Sequence, residues 1–146
     1  MAVTSKIFGK FILNRFNGGS AVDWTSDTIK VALCTSSFTP DQDTMDFFDD
    51  VTNEITGTGY TAGGATIASP TATYTAGTNV IKLDAADTSW ATSTLTARYA
   101  VVYKSTGTAS TSPLIGYVDF GTNVSSSAST FLITWDAAGI FTMTPA

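Results

Sequence analysis

The segment from residue 95 to residue 120 constrains the fold most, because it contains two clear strand patterns. In residues 97–104, aromatic and β-branched residues alternate with partly apolar ones, so both faces of a strand here can be buried. Residues 114–120 are equally rich in such residues. A polar Ser/Thr/Gly-rich segment joins the two, which predicts an antiparallel hairpin with a long loop, although such a loop also lets each strand pair elsewhere.

The remaining sequence predicts a single, mainly β domain of 146 residues. Further short strands are expected at 28–34, 65–68, 71–74, 79–83, 88–90, 130–135 and 140–143. About eight short strands with many turns favour an antiparallel β-sandwich, jelly-roll-like in form, with an immunoglobulin-like Greek key as the alternative. A short N-terminal helix and one short acidic helix complete the expected fold.

The N-terminal segment, residues 3–16, has apolar residues at spacings of three and four with polar residues between them, which is typical of an amphipathic helix. Thr4 or Ser5 is expected to cap it, and the sequence 17–19 (NGG) to end it. We therefore divide the chain into an N-terminal amphipathic helix or arm, residues 1–19, and a β-sandwich domain, residues 20–146. The apolar side of this helix either packs on its own domain, docks on a neighbouring subunit or lies on a membrane surface. The candidate interaction segment consists of Ile7, Phe8, Phe11, Ile12 and Phe16.

The acidic segment, residues 40–51, is expected to form a short helix capped by Asp41 or Asp43. Its five carboxylates are the best candidates for a calcium site: Asp41, Asp43, Asp46, Asp49 and Asp50. A calcium loop of the EF-hand type starting at Asp41 would require glycine in place of Asp46 and glutamate in place of Thr52. We therefore expect a solvated face and no metal site.

The residue types present exclude several kinds of enzyme. The chain has no histidine, which rules out Ser-His-Asp and Cys-His catalysis and histidine-ligated metals. Cys34 is the only cysteine and is expected in a strand, and the glycine-rich GTGYTAGGA lacks the lysine of a phosphate-binding loop. We expect no catalytic residues, no cofactor and no enzymatic activity.

Charge and hydropathy bear on partners and location. Only 13% of residues are charged and the net charge is -5, which argues against a nucleic-acid partner. No segment has the length and apolarity of a membrane span, and the first apolar run is interrupted by Lys6, Lys10 and Arg15. We expect neither a membrane partner nor a signal peptide, and hence a protein that stays in the cytoplasm of the cell that makes it.

Three long strings carry a family resemblance: DTIKVALCTSSFTPDQDTMDFFDDVTNEITGTGYTAGGA (27–65), LTARYAVVYKSTGTASTSPLIGYVDFG (95–121) and FLITWDAAGIFTMT (131–144). They resemble a family of small virion structural proteins of tailed bacteriophages. The resemblance implies a capsid decoration or cement protein that clamps neighbouring capsid subunits, or a tail component. It also implies the major capsid protein as partner, a homo-oligomer, and a place in the virion after assembly in the host cytoplasm.

A second hypothesis is a carbohydrate-binding adhesin module. Trp24, Trp90, Trp135 and the five tyrosines could stack on sugar rings if they were exposed. Most of them lie in or beside a predicted strand, where a large ring is usually buried. We therefore expect these rings in the core.

Overall fold

The computed structural model describes residues 2–145 and contains one α-helix and eight strands within them. In chain order these are β1 (Thr4–Ile7), α1 (Gly9–Phe16), β2 (Ile29–Cys34), β3 (Ala65–Thr66), β4 (Thr71–Thr75), β5 (Val80–Asp84), β6 (Thr88–Lys104), β7 (Leu114–Ile133) and β8 (Phe141–Met143). They form a five-stranded sheet, β1-β7-β6-β2-β3, and a three-stranded sheet, β4-β5-β8. Every pairing is antiparallel, so the prediction of a mainly β, antiparallel sandwich is confirmed.

The hairpin of β6 and β7 is the longest feature of the fold. Its register pairs Tyr103 with Leu114 beside the loop and Thr88 with Ile133 at the far end. The predicted hairpin is therefore confirmed, and the segments 88–90 and 130–133 are continuations of its two strands rather than separate strands. Register shifts accompany positive φ angles at Thr92 (50°) and Ala128 (47°), and these bulges break the alternation that a sequence pattern can detect.

The core lies against the middle of the large sheet. β6 pairs with β2 on one side and β7 on the other, and Ala100, Val101 and Val102 are fully buried. This confirms the prediction of a central strand that is apolar on both faces. The small sheet is tied to this core through Trp24, whose Nε1 donates to the Asp84 carbonyl at 2.9 Å.

The N-terminal segment differs from the prediction, because its first half is a strand. β1 pairs with β7, from Thr4 opposite Asp119 to Ile7 opposite Gly116. The helix begins only at Gly9, after Phe8, and no side chain caps it, so the prediction of a Thr4 or Ser5 cap was wrong. Phe8, which lies between β1 and α1, is fully buried, and its N–H donates to the Ile115 carbonyl at 3.1 Å. The end of the helix agrees with the NGG signal, since Phe16 is its last residue and Gly18 has a φ of 75°.

The acidic segment forms turns and a single 3-10 turn, Phe48–Asp50, instead of an α-helix. Asp41 Oδ1 accepts hydrogen bonds from the backbone N–H groups of Asp43 at 2.9 Å and Thr44 at 3.2 Å. Asp41 therefore closes a local turn, as aspartate side chains do outside helices. The expected short acidic helix is reduced to the 3-10 turn.

Candidate interaction surface

An apolar face on the outer side of α1 is the strongest candidate for a binding surface. Ile12, Leu13 and Phe16 are 37%, 50% and 84% exposed. At about 100° per residue they fall on one side of the helix, within about 100° of one another. We call these three residues the α1 face; exposed apolar groups clustered in this way are typical of surfaces that bind a partner.

Two contacts hold α1 in place beneath this face. The inward Phe11 is buried, and the guanidinium of Arg15 lies over its ring, 4.9 Å from the centroid. The Arg15 guanidinium also donates a hydrogen bond to the Val22 carbonyl, which ties the end of the helix to the next segment of chain. The α1 face is therefore presented by a supported helix, which lowers the entropic cost of binding through it.

A groove of about 940 Å³ runs beside the α1 face, between the helix and the small sheet. We call it the α1 groove. Its lining is mostly apolar and includes Ile12, Phe16, Trp24, Ala72, Ile81 and Met143. The rim carries one carboxylate, Asp23, which accepts hydrogen bonds from Thr25 and Ser26. These bonds lower the pKa of Asp23 to about 2, so this carboxylate is ionised at neutral pH. The Arg15 side chain also lines the groove.

The structure narrows the predicted interaction segment. Phe8 and Phe11 are buried and Ile7 is half-buried, so these three side chains belong to the protein's own packing. Ile12 and Phe16 are exposed as a binding role requires, and Leu13 joins them. Leu13 was missed because a helix starting near residue 3 puts Phe8 and Phe11 in the stripe. Leu13 lies outside that stripe, and its exposure follows from how α1 packs on the domain, which spacing alone does not show.

A second apolar cleft, of about 590 Å³, lies along β7. Val3, Val118, Phe120, Val124, Leu132 and Trp135 are among its lining residues. Val3, Val124 and Leu132 are exposed there. The exposed side chains of this cleft are also apolar but lie outside α1. A substitution here can therefore serve as a control for substitutions in the α1 face.

Most aromatic side chains belong to the core, as predicted. Trp24, Trp90, Tyr103 and Tyr117 are buried. Trp135 is half-buried and its Nε1 donates to Thr88 Oγ1 at 3.2 Å. Tyr74 on β4 is the one tyrosine among residues 2–145 that is largely exposed, at 58%.

Cys34 lies beside a polar cluster that includes Glu54 and Tyr60. Tyr60 donates to Glu54 Oε1 at 2.6 Å and accepts from the Leu33 N–H at 2.9 Å, while the Gly63 N–H donates to the same Glu54 oxygen at 2.6 Å. Burial, together with the charge of Glu54, raises the pKa of Cys34 to about 12. The thiol therefore stays protonated at neutral pH and lacks the activation of a nucleophile. The cluster fixes the loop from Glu54 to Gly63 onto β2.

Two of the five carboxylates in residues 41–50, those of Asp41 and Asp50, accept hydrogen bonds within local turns. Besides the Asp41 turn, Asp50 Oδ2 accepts from the Asp46 N–H at 2.9 Å. Burial and the nearby Asp50 raise the pKa of Asp46. Across residues 2–145, no group of three or more cysteine, aspartate or glutamate side chains is arranged to hold a metal ion.

Comparisons with known proteins found no relative from which a function could be inferred. No protein-family model matches the chain, and neither the curated proteins nor the solved structures contain a significant match. Within residues 2–145, no helix has the length and apolar character needed to cross a membrane.

Proposed function

We propose that the protein is a virion structural protein, a capsid decoration or cement protein that binds the major capsid protein and clamps neighbouring capsid subunits. The observation that supports this most directly is the α1 face, a supported apolar surface with Phe16 at its centre. The family resemblance of the three sequence strings supplies the kind of partner. The protein acts by binding, in the virion, after assembly in the host cytoplasm.

The size of the α1 face suits a contact that is repeated many times. Burial of one large apolar side chain contributes about 1.5–3 kcal/mol, whereas association costs about 4–15 kcal/mol. Three side chains therefore give a weak contact on their own. A shell presents many equivalent sites, and a clip that bridges two subunits gains from the high effective concentration of the second contact.

The first experiment locates the protein by cryo-electron microscopy of purified particles that contain it. We expect density on the outside of the shell, across junctions between capsid subunits, with α1 facing the shell. Density on the tail would instead identify a tail component, and absence from the particles would overturn the proposal.

The second experiment tests the surface and the clamping role. Particles stripped of the protein should release DNA at a lower temperature than complete particles, and adding the protein back should restore their heat resistance. The double variant Ile12→Ser/Phe16→Ser should fail to restore it. The control is Leu132→Ser, which removes an exposed apolar side chain outside α1 and should restore resistance fully. Equal heat resistance with and without the protein would rule out a cement role.

The carbohydrate-binding alternative makes a different prediction. A sugar platform needs exposed rings, and Trp24 and Trp90 are buried. Binding of the isolated protein to host glycans, lost in Tyr74→Ala, would favour an adhesin module over a decoration protein.

A further inference from the structure

Strand β4 forms an open edge of the small sheet. It pairs with β5 on one side and is the terminal strand in the order β4-β5-β8. All five of its residues, Thr71–Thr75, are exposed. Alternate N–H and C=O groups of such a strand point away from its neighbour and are free to pair with another strand.

The other sheet edges are less suited to pairing. β3 has two residues and β8 has three. β1 has four residues, includes the charged Lys6, and its Ile7 carbonyl already accepts a hydrogen bond from Gln42 Nε2 at 2.8 Å. β4 is the longest edge strand, and it lacks the charged residues, prolines and bulges that natural proteins use to block edge pairing.

We propose that two copies of this chain associate through β4, paired antiparallel about a twofold axis at Thr73. In this register Thr71 lies opposite Thr75 of the second copy, and Ala72 lies opposite its Tyr74. The twofold axis fixes which residue of the second copy faces each residue of β4. In a strand with charged residues, this can place two side chains of the same charge opposite each other. The sequence TATYT carries no charge and avoids this cost.

Side-chain size also fits this register. Tyr74 is 58% exposed, and its hydroxyl donates to Asn79 Oδ1 at 2.9 Å, which limits the positions of the ring. Opposite it stands the small Ala72 of the second copy, so a large ring meets a methyl group instead of another ring. Thr and Tyr are also favourable strand residues.

The pairing would join the two small sheets into one six-stranded sheet. Residues directly opposite each other in an antiparallel pair point to the same side. Ala72 lines the α1 groove, so both grooves would open on the same side of the joined sheet. This inference does not depend on the proposed function, because it concerns contacts between copies of the isolated protein.

The test compares two double variants by sedimentation equilibrium. In Thr71→Lys/Thr75→Lys, each lysine faces a lysine of the second copy, whereas in Thr71→Lys/Thr75→Glu each lysine faces a glutamate. Each chain carries a net charge of -5, so the measurements use about 150 mM salt, where charges farther apart than about 8 Å are screened. The wild type should show a concentration-dependent dimer between about 1 μM and 1 mM.

We expect the Lys/Lys variant to dimerise about tenfold or more weakly than the Lys/Glu variant, because two pairs of opposed charges change sign. The Lys/Lys variant has the smaller net negative charge. If repulsion between whole chains controlled association, the Lys/Lys variant would therefore dimerise more tightly than the Lys/Glu variant. Wild-type protein that stays monomeric at 15.2 kDa, or two variants that dimerise equally, would overturn the proposal.

Hydrogen exchange on the wild type gives a readout that needs no variant. The amides of residues 71–75 that face away from β5 should exchange more slowly as the protein concentration rises. Unchanged exchange there in a sample shown to be dimeric would place the interface elsewhere and overturn the proposal.

Discussion

Gly116 of β7 lies directly against the ring of Phe141 of β8. A Cβ atom at position 116 would come within 2.5 Å of two ring carbons of Phe141 and within 2.6 Å of the Lys6 carbonyl oxygen. Phe141 is buried, and Lys6 belongs to β1, which pairs with this part of β7. One missing side chain thus lets the small sheet, β1 and the central hairpin meet.

Gly116→Ala should therefore destabilise the protein by about 1–3 kcal/mol, the usual cost of an extra carbon in a packed core. Urea unfolding should show a lower midpoint with an unchanged slope. Gly77→Ala is the matched control, since a Cβ there has no atom within 4 Å. Equal midpoints for the two variants would show that the contact relaxes without cost.

The ion pair between β6 and β7 should make stability depend on pH. Arg98 Nε donates to Asp119 Oδ1 at 2.6 Å, and the Gly121 N–H donates to the same oxygen at 2.8 Å. The hydrogen bond from Arg98, more than any other contact, holds the pKa of Asp119 below its ordinary value of 3.8. The stabilisation by this carboxylate is thus fully present above that value and is lost as the pH falls through the lowered pKa.

Asp119→Asn isolates this contribution. Urea midpoints of the wild type and the variant should differ at pH 5 and converge as the pH falls from about 4 toward 2. The difference between the proteins is the relevant quantity, because Asp23, Asp27 and Asp41 also have lowered pKa values and contribute to the acid sensitivity of both. A difference that does not change with pH would mean that the Asp119 charge adds nothing to stability.

β2, β4 and β5 were predicted to within one residue at each end, and each of them runs without a bulge. β1 was missed, since its residues TSKI are mostly exposed and become a strand only by pairing with β7. That pairing, and the burial of Phe8, are tertiary effects which outweigh the helical spacing of the segment. Within the candidate site, Ile12 and Phe16 were identified from their spacing, whereas the exposure of Leu13 depends on how α1 packs on the domain.

Cys34 should be unreactive in the folded protein. It is fully buried, and burial with the nearby Glu54 raises its pKa to about 12. At pH 8 a thiol reagent should label it only through unfolding, so the labelling rate should rise with urea in parallel with the unfolded fraction. Rapid labelling without denaturant would show that the loop from Glu54 to Gly63 opens readily.

We expect no calcium binding by the acidic segment. Asp41 and Asp50 already accept hydrogen bonds from backbone N–H groups within their own turns, and the segment lacks the glycine and glutamate of an EF-hand loop. Calorimetric titration with calcium should give only heats of dilution. A micromolar isotherm that disappears in Asp43→Asn would contradict this.

Two phenylalanines of the N-terminal segment should behave in opposite ways. Phe8 is fully buried and packs against Tyr117, with ring centroids 5.4 Å apart, so Phe8→Ala should cost about 3–5 kcal/mol of unfolding free energy. Phe16 is 84% exposed, so Phe16→Ala should change stability by less than about 0.5 kcal/mol. Binding to particles should respond differently. Phe16→Ala should weaken the binding of the folded protein, because the α1 face loses its largest side chain. Urea unfolding and binding to stripped particles measure the two effects separately. A folded Phe16→Ala protein that binds particles as tightly as the wild type would exclude the α1 face as the contact surface, whatever the stability of Phe8→Ala.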